Sequence, residues 1–186
     1  TGRRGRAIVK GGKGTATRTV GLLGGIFSYA AEAGLLKENP VRGVKRYRDR
    51  RNERFLDTVE LARLGAALAE AEARGENPFA LAIIRLLLLT GARKGEIERL
   101  KWNEVDRQFQ YLRIGDSKTG QKLIVLNAAA LEIIEQIPKA IGADYIFPAS
   151  RSDGWYQGTP KVWNRIRESA ELQNVRLHDL RHSFAS

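Results

Sequence analysis

His178-Asp179-Leu180-Arg181-His182-Ser183-Phe184-Ala185-Ser186 closes the chain and holds both of its histidines. Read as a helix, the segment sets His178 and Arg181 one turn apart on a shared face. A neutral imidazole beside a permanently charged guanidinium suits an anionic substrate that exchanges protons, and a phosphodiester has that chemistry. A single histidine near a helix start is more often a satisfied structural residue than a catalyst, so the reading needs partners elsewhere.

Two such partners lie upstream. Leu89-Thr90-Gly91-Ala92-Arg93-Lys94-Gly95-Glu96-Ile97 places Arg93 just past a glycine break, and glycines at both flanks permit tight turns and close approach of a ligand. Arginine suits phosphate because its planar fork donates two parallel hydrogen bonds and keeps its charge. Glu96 stands three residues on, where it can hold Arg93 or cap a short helix. Asp116-Ser117-Lys118-Thr119-Gly120-Gln121-Lys122 then sets Lys118 on a hairpin tip, with Lys122 as its local competitor. Taken singly, Arg93 is a boundary arginine and Lys118 an exposed turn lysine. His178-Asp179-x-x-His182 also imitates a zinc-protease spacing, but the acid is Asp, no third ligand follows, and Arg181 would repel a dication.

Composition narrows the classes. With 186 residues, 42% of them apolar, the chain can bury a core of one domain and part of another. No apolar run approaches the ~18 residues of a membrane span. The absence of cysteine removes disulfides and thiolate metal sites, and fits a cytoplasmic setting. A start on Thr1-Gly2-Arg3-Arg4 and the absence of methionine are expected of a piece of a longer protein. Residues 1–54 hold 14 Lys/Arg against 4 Asp/Glu, a net of +10, whereas residues 55–186 hold 18 against 17, a net of +1. A nearly neutral body behind a strongly basic segment is the footprint of a polyanion binder, although a solvated basic tail would look the same.

Local signals predict the elements. Residues 1–14 read as loop, and Thr15 to Gly34 as a helix with Val20, Leu23, Phe27 and Ala31 at helical spacing. Asn39-Pro40 marks a turn. A second domain starts near Phe55, with a helix capped by Asp57 or Thr58 and running to about Arg74. Asn77-Pro78 opens a largely buried rod that Gly91 ends, and Lys94 to Lys101 reads as a short helix. Trp102–Asp106, Tyr111–Ile114 and Lys122–Leu126 alternate as three antiparallel strands, with Asp116 to Gln121 as the tip between the last two. Ala128 to Ile137 and Thr159 to Leu172 read as further helices, with a short extended piece at Tyr145 to Pro148. The fold class is α+β, mainly α, with a small three-stranded antiparallel sheet.

An Arg, a Lys and a His-x-x-Arg in this order and setting resemble the catalytic set of the tyrosine recombinases, the phage-integrase family. The last segment matches closely, since the family typically reads His-Asp-Leu-Arg-His-Thr-Phe-Ala-Ser there, and the resemblance spans most of the chain. It implies a recombinase catalytic domain over residues 55–186, truncated at its C-terminus. Before that it implies the C-terminal part of a helical core-binding domain over residues 1–44 and a basic linker over 45–54. In the roles the resemblance implies, Arg93 and Arg181 clamp the scissile phosphate, Lys118 protonates the departing 5′ oxygen, and His178 is the acid–base partner of the nucleophile. The nucleophile is a tyrosine that forms a 3′-phosphotyrosine link, so strands are broken and rejoined without ATP, metal or other cofactor. The implied partner is double-stranded DNA, with self-association on it as a tetrameric synapse; no membrane and no small-molecule substrate are implied. Tyr29, Tyr47, Tyr111, Tyr145 and Tyr156 all precede His178, away from the family's nucleophile position, so residues 1–186 alone are expected not to cleave DNA. A non-catalytic DNA-binding module and a type IB topoisomerase-like enzyme are the alternatives.

Overall fold

The computed structural model describes residues 12–48, 54–117, 120–139, 141–151 and 153–184, and divides the chain into two units, 1–52 and 53–186. The expected loop over residues 1–14 lies mostly outside the described residues.

In the first unit, helix α1 (Lys13–Glu32) begins and ends within two residues of the expected bounds. Gly34 adopts a left-handed φ of 73°, and the Leu35 N–H returns to the Ala30 carbonyl at 2.9 Å, closing the helix in the manner glycine allows. Asn39 then folds the following turn back: its amide donates to the Gly24 carbonyl and to Ser28 Oγ, both at 2.9 Å, and its carbonyl accepts from the Val41 N–H at 2.9 Å. None of the described residues of this unit is buried.

The second unit is built around a helix that is apolar except at Arg85, which pairs with Glu72 at the surface. Helix α2 (Thr58–Ala73) opens on a reciprocal cap, with the Glu60 N–H donating to Asp57 at 2.8 Å and the Asp57 N–H to Glu60 at 3.1 Å. Helix α3 (Pro78–Thr90) starts on Asn77, which accepts from the Ala80 N–H at 3.1 Å, with proline in its first turn. Ala80, Leu81, Ile83, Ile84, Leu86 and Leu87 are all buried, so α3 serves as the central rod. Helices α2, α4 (Lys94–Glu98), α5 (Ala128–Glu135), α6 (Thr159–Ser169) and α7 (Leu177–Phe184) pack against it. Beside them lies an antiparallel sheet in the order β1 (Val105–Asp106), β2 (Tyr111–Ser117), β3 (Gly120–Val125). Leu112, Ile114 and Ile124 face the core, while Arg113, Leu123 and Val125 face out.

Three expected boundaries move. The helix expected over 94–101 stops at Glu98, because the Leu100 carbonyl accepts from the Ile146 N–H at 2.9 Å and the Trp102 N–H donates to Asp144 at 3.0 Å. These bonds tie the chain to the extended piece at Tyr145, and Trp102–Glu104 is a 3-10 turn rather than the start of a strand. The hairpin strands run further than expected, pairing Ser117 with Gly120, so of the expected tip at 116–121 only 118 and 119 lie outside β2 and β3, and those two are outside the described residues. Helix α6 closes at Ser169 rather than Leu172, since Glu171 turns to a left-handed φ of 56° and the Leu172 N–H reaches back to the Arg167 carbonyl at 2.7 Å.

Candidate functional site

The break after α3 does two jobs. Gly91 adopts a left-handed φ of 58°, and a Cβ there would stand 2.5 Å from Cδ1 of Phe184, so the position needs both glycine's conformational freedom and its missing side chain. The Phe184 ring therefore seats directly on the Gly91 backbone. This joins the segment two residues before Arg93 to the residue one turn after Arg181. The Thr90 hydroxyl secures the break by donating to the Leu86 carbonyl at 2.5 Å and accepting from the Ala92 N–H at 3.3 Å.

Arg93 precedes α4 in extended geometry, and Glu96 organises it. One Glu96 oxygen accepts from the Arg93 N–H at 2.7 Å and from Lys122 Nζ at 2.9 Å; the other accepts from Arg93 Nη1 at 3.0 Å. The Glu96 side chain is only 7% exposed. Burial by itself would raise its pKa, but the Lys122 ammonium and the two Arg93 donors outweigh that and hold it below the usual glutamate value. Lys122 can reach because it shares the inward face of β3 with Ile124, two residues on. An inward lysine on an apolar strand face is accommodated here by a buried carboxylate.

Helix α7 carries the other two expected residues. The Asp179 carboxylate, fully buried, accepts from the Arg176 N–H at 2.7 Å and from the Arg176 guanidinium at 2.6 Å. Burial opposes its ionisation, yet the Arg176 bonds prevail and its pKa is lowered. This clamp fixes the helix start and aims the next turn. His178 lies on the solvent side, edge-on to His182 with ring centroids 5.1 Å apart and planes at 88°. Its pKa is lowered, first by partial burial and then by the positive fields of His182, Arg181 and Arg176, so near neutral pH the ring favours the uncharged form that can accept a proton. Arg181 Nη1 is buried and has no hydrogen-bond partner among the described residues. A buried guanidinium nitrogen left open is costly unless a ligand completes it, and it calls for an anion.

Arg93 and Arg181 thus stand on segments in direct contact, with His178 one turn before Arg181. Lys118 lies outside the described residues. Lys122, its competitor, is engaged with Glu96. An open cleft of about 740 Å³ begins at Arg93 and Glu96 and runs past Arg99, Lys101, Tyr145 and Trp155. Arg99 stacks over the Trp155 ring at 4.4 Å, a pairing across 56 positions that no local sequence signal announces.

A sequence model of the phage integrase family matches residues 54–186. The chain belongs to the phage integrase family. Among curated relatives, it is 33% identical over 115 residues to a prophage integrase, IntF, of Escherichia coli, covering 59% of this chain and 25% of that protein. It is 26% identical over 168 residues to a shufflon-specific DNA recombinase of Escherichia coli, covering 89% of this chain and 41% of that protein. The chain thus spans between a quarter and about two fifths of these relatives. The fold is shared with lambda integrase in the crystal structure of its dimer bound to a COC′ core site, at a TM-score of 0.67 and 20% identity, covering 93% of this chain and 66% of that one. For a phage integrase family member, the mainly helical unit with a three-stranded antiparallel sheet is the expected catalytic architecture. No helix among the described residues is long and apolar enough to cross a membrane.

Proposed function

We propose that this chain is part of a site-specific DNA recombinase that breaks and rejoins duplex DNA through a 3′-phosphotyrosine intermediate. The observation that carries the reading is the open, buried Nη1 of Arg181 on a helix seated against the Gly91–Arg93 break. Two arginines so disposed suit the non-bridging oxygens of one phosphate and would neutralise the charge that builds in the transition state. His178, held neutral, would assist the tyrosine hydroxyl as it loses its proton. The tyrosine oxygen then bonds to phosphorus, the bond from phosphorus to the 5′ oxygen breaks, and Lys118 supplies the proton to that leaving oxygen. The link retains the phosphodiester energy, and the reverse attack by a 5′ hydroxyl rejoins the strand.

Under this proposal residues 1–44 belong to a core-binding domain, 45–54 to a basic linker and 55–186 to the catalytic domain of a protein acting in the cytoplasm. The similarity to a DNA recombinase supports DNA as substrate, and a neighbour of the same fold is a lambda integrase tetramer bound to a Holliday junction, which supports self-association on DNA. By the family resemblance the nucleophile lies beyond His178, whereas the five tyrosines here all precede it, and their surroundings support the same reading. Tyr111 accepts a hydrogen bond from Arg113, Tyr145 lies under Lys101, and Tyr156, half-buried against Phe79, has its pKa raised by burial. The proposal accordingly places the attacking tyrosine outside residues 1–186.

The test is a covalent-adduct assay on a suicide duplex with the native protein that includes this chain. Arg181→Lys should abolish most adduct, because a point ammonium cannot replace the bidentate fork. His178→Ala should slow it by about 10²–10⁴, the usual worth of general acid–base help. Duplex binding without any adduct would favour the DNA-binding module. Relaxation of supercoils without exchange between partner sites would favour the topoisomerase-like alternative.

A further inference from the structure

Helix α7 also meets the first residues of the second unit, through His182 and Ser183. Arg54 grips that entry: its guanidinium donates to the Phe55 carbonyl and to the buried Glu60 carboxylate, the same group that caps α2. The Phe55 ring stands edge-on to His182, with centroids 6.1 Å apart and planes at 71°. His182 in turn stands edge-on to His178. One residue on, the Leu56 N–H donates to Ser183 Oγ at 2.9 Å, and the Ser183 hydroxyl donates to the Asp179 carbonyl at 3.1 Å. Two routes therefore run from Phe55 and Leu56 into α7, one through rings to His178 and one through hydrogen bonds to the turn below Arg181.

An eight-residue helix is too short to hold itself, so packing partners set its pose. His178 is solvent-facing, and an exposed imidazole samples several rotamers unless a neighbour excludes some of them. We propose that Phe55 and Leu56 are positioning residues for the active site: acting through His182 and Ser183, they fix the rotamer of His178 and the pitch of α7. The inference rests on the reading of His178 and Arg181 as catalytic.

The chain has two histidines, so its carbon–proton imidazole spectrum contains two ring systems, which single His→Gln variants assign. The wild-type chain should give a nuclear Overhauser cross-peak between the two rings. Phe55→Leu should weaken that cross-peak and move the His178 ring signals, although Phe55 has its ring contact with His182. Ser183→Ala should move the same signals, and Ser183→Thr, which keeps the hydroxyl, should restore them. Val125→Ala, on the outer face of β3, should leave both rings unchanged. A response of His182 alone, with His178 signals and the cross-peak intact, overturns the proposal. A second reading uses the longer recombinase: Phe55→Leu should lower the single-turnover adduct rate by about ten- to a hundredfold, the scale of a small misplacement, while duplex affinity stays within about twofold. A parallel loss of affinity, or an unchanged rate, also overturns it. If instead His178→Ala leaves the adduct rate intact while the spectra respond as stated, the catalytic reading fails and the positioning contact stands.

Discussion

Residues 12–48 and residues 54–184 differ in how they are held together. The first unit carries Leu22, Ile26 and Tyr29 at 68%, 53% and 72% exposure on one helix and buries none of its described residues, while the second buries most of α3. In the first, order rests on local bonds such as the Asn39 amide on α1 and the left-handed stop at Gly34. In the second, order rests on apolar packing between residues far apart in the chain. Charge divides the same way, since the strongly basic stretch lies before residue 55 and the nearly neutral body after it. Under the proposed function this is a division of labour: the basic charge is concentrated where no described residue is buried, and the groups that need accurate aim sit where there is a core.

Four outcomes would break or sharpen that contrast. The largest concerns chemistry. In the native protein that includes this chain, Arg93→Lys should cost at least about 10² in adduct rate, because the ammonium cannot reproduce the fork that both Glu96 and a phosphate engage. Gln at Lys45, Arg46 and Arg48 should cost affinity instead; equal losses of rate in both variants would erase the division. Next in size is packing. Leu180→Ala, at a fully buried position of α7, should destabilise the second unit by about 2–5 kcal/mol in thermal or urea melts. Ile26→Ala should change stability by no more than about 0.5 kcal/mol. A large effect at Ile26 would mean that α1 is covered by something this unit does not itself supply.

The third outcome is ionic. When Lys45, Arg46 and Arg48 are replaced, the slope of log K against log salt for a nonspecific duplex should become shallower by about 0.9 for each phosphate no longer neutralised. Fluorescence anisotropy across a salt series measures it, and an unchanged slope would move the electrostatic footprint elsewhere. The smallest effect is acid sensitivity. Glu96 and Asp179 have lowered folded pKa values, so their contribution is fully present above the ordinary carboxylate range and is lost as pH falls through the folded values. The stability of the second unit should therefore begin to fall below about pH 4.3, the ordinary glutamate value. Glu96→Gln should flatten that part of the profile in pH-dependent melts while lowering stability at neutral pH.

Much of the second unit was legible because its boundary signals are local. Asp57 with Glu60, Asn77 before Pro78, and Gly91 after an apolar rod each act within four residues of chain. The boundaries that moved are those set from outside. Helix α4 stops early because Leu100 and Trp102 bond to Ile146 and Asp144, some 40 positions later. The role of Glu96 toward Arg93 was readable from a spacing of three residues, but its hold on Lys122 was not. That bond requires β3 to lie beside α4 with Lys122 inward, which depends on strand register.

The sequence by itself determined the charge asymmetry, the helix caps, the alternation of β2 and β3, and which residues are candidates for phosphate chemistry. These properties reside in side-chain type and in spacings of one to four residues. Only the tertiary structure decided that Phe184 seats on Gly91, that Arg181 keeps a buried nitrogen open, that Lys122 is engaged by Glu96, and that Phe55 stands behind His182. Each of these pairs distant stretches or depends on what is packed around one atom. Their geometry follows from how α3 is surrounded, a property of the close-packed interior that no local window of the chain contains.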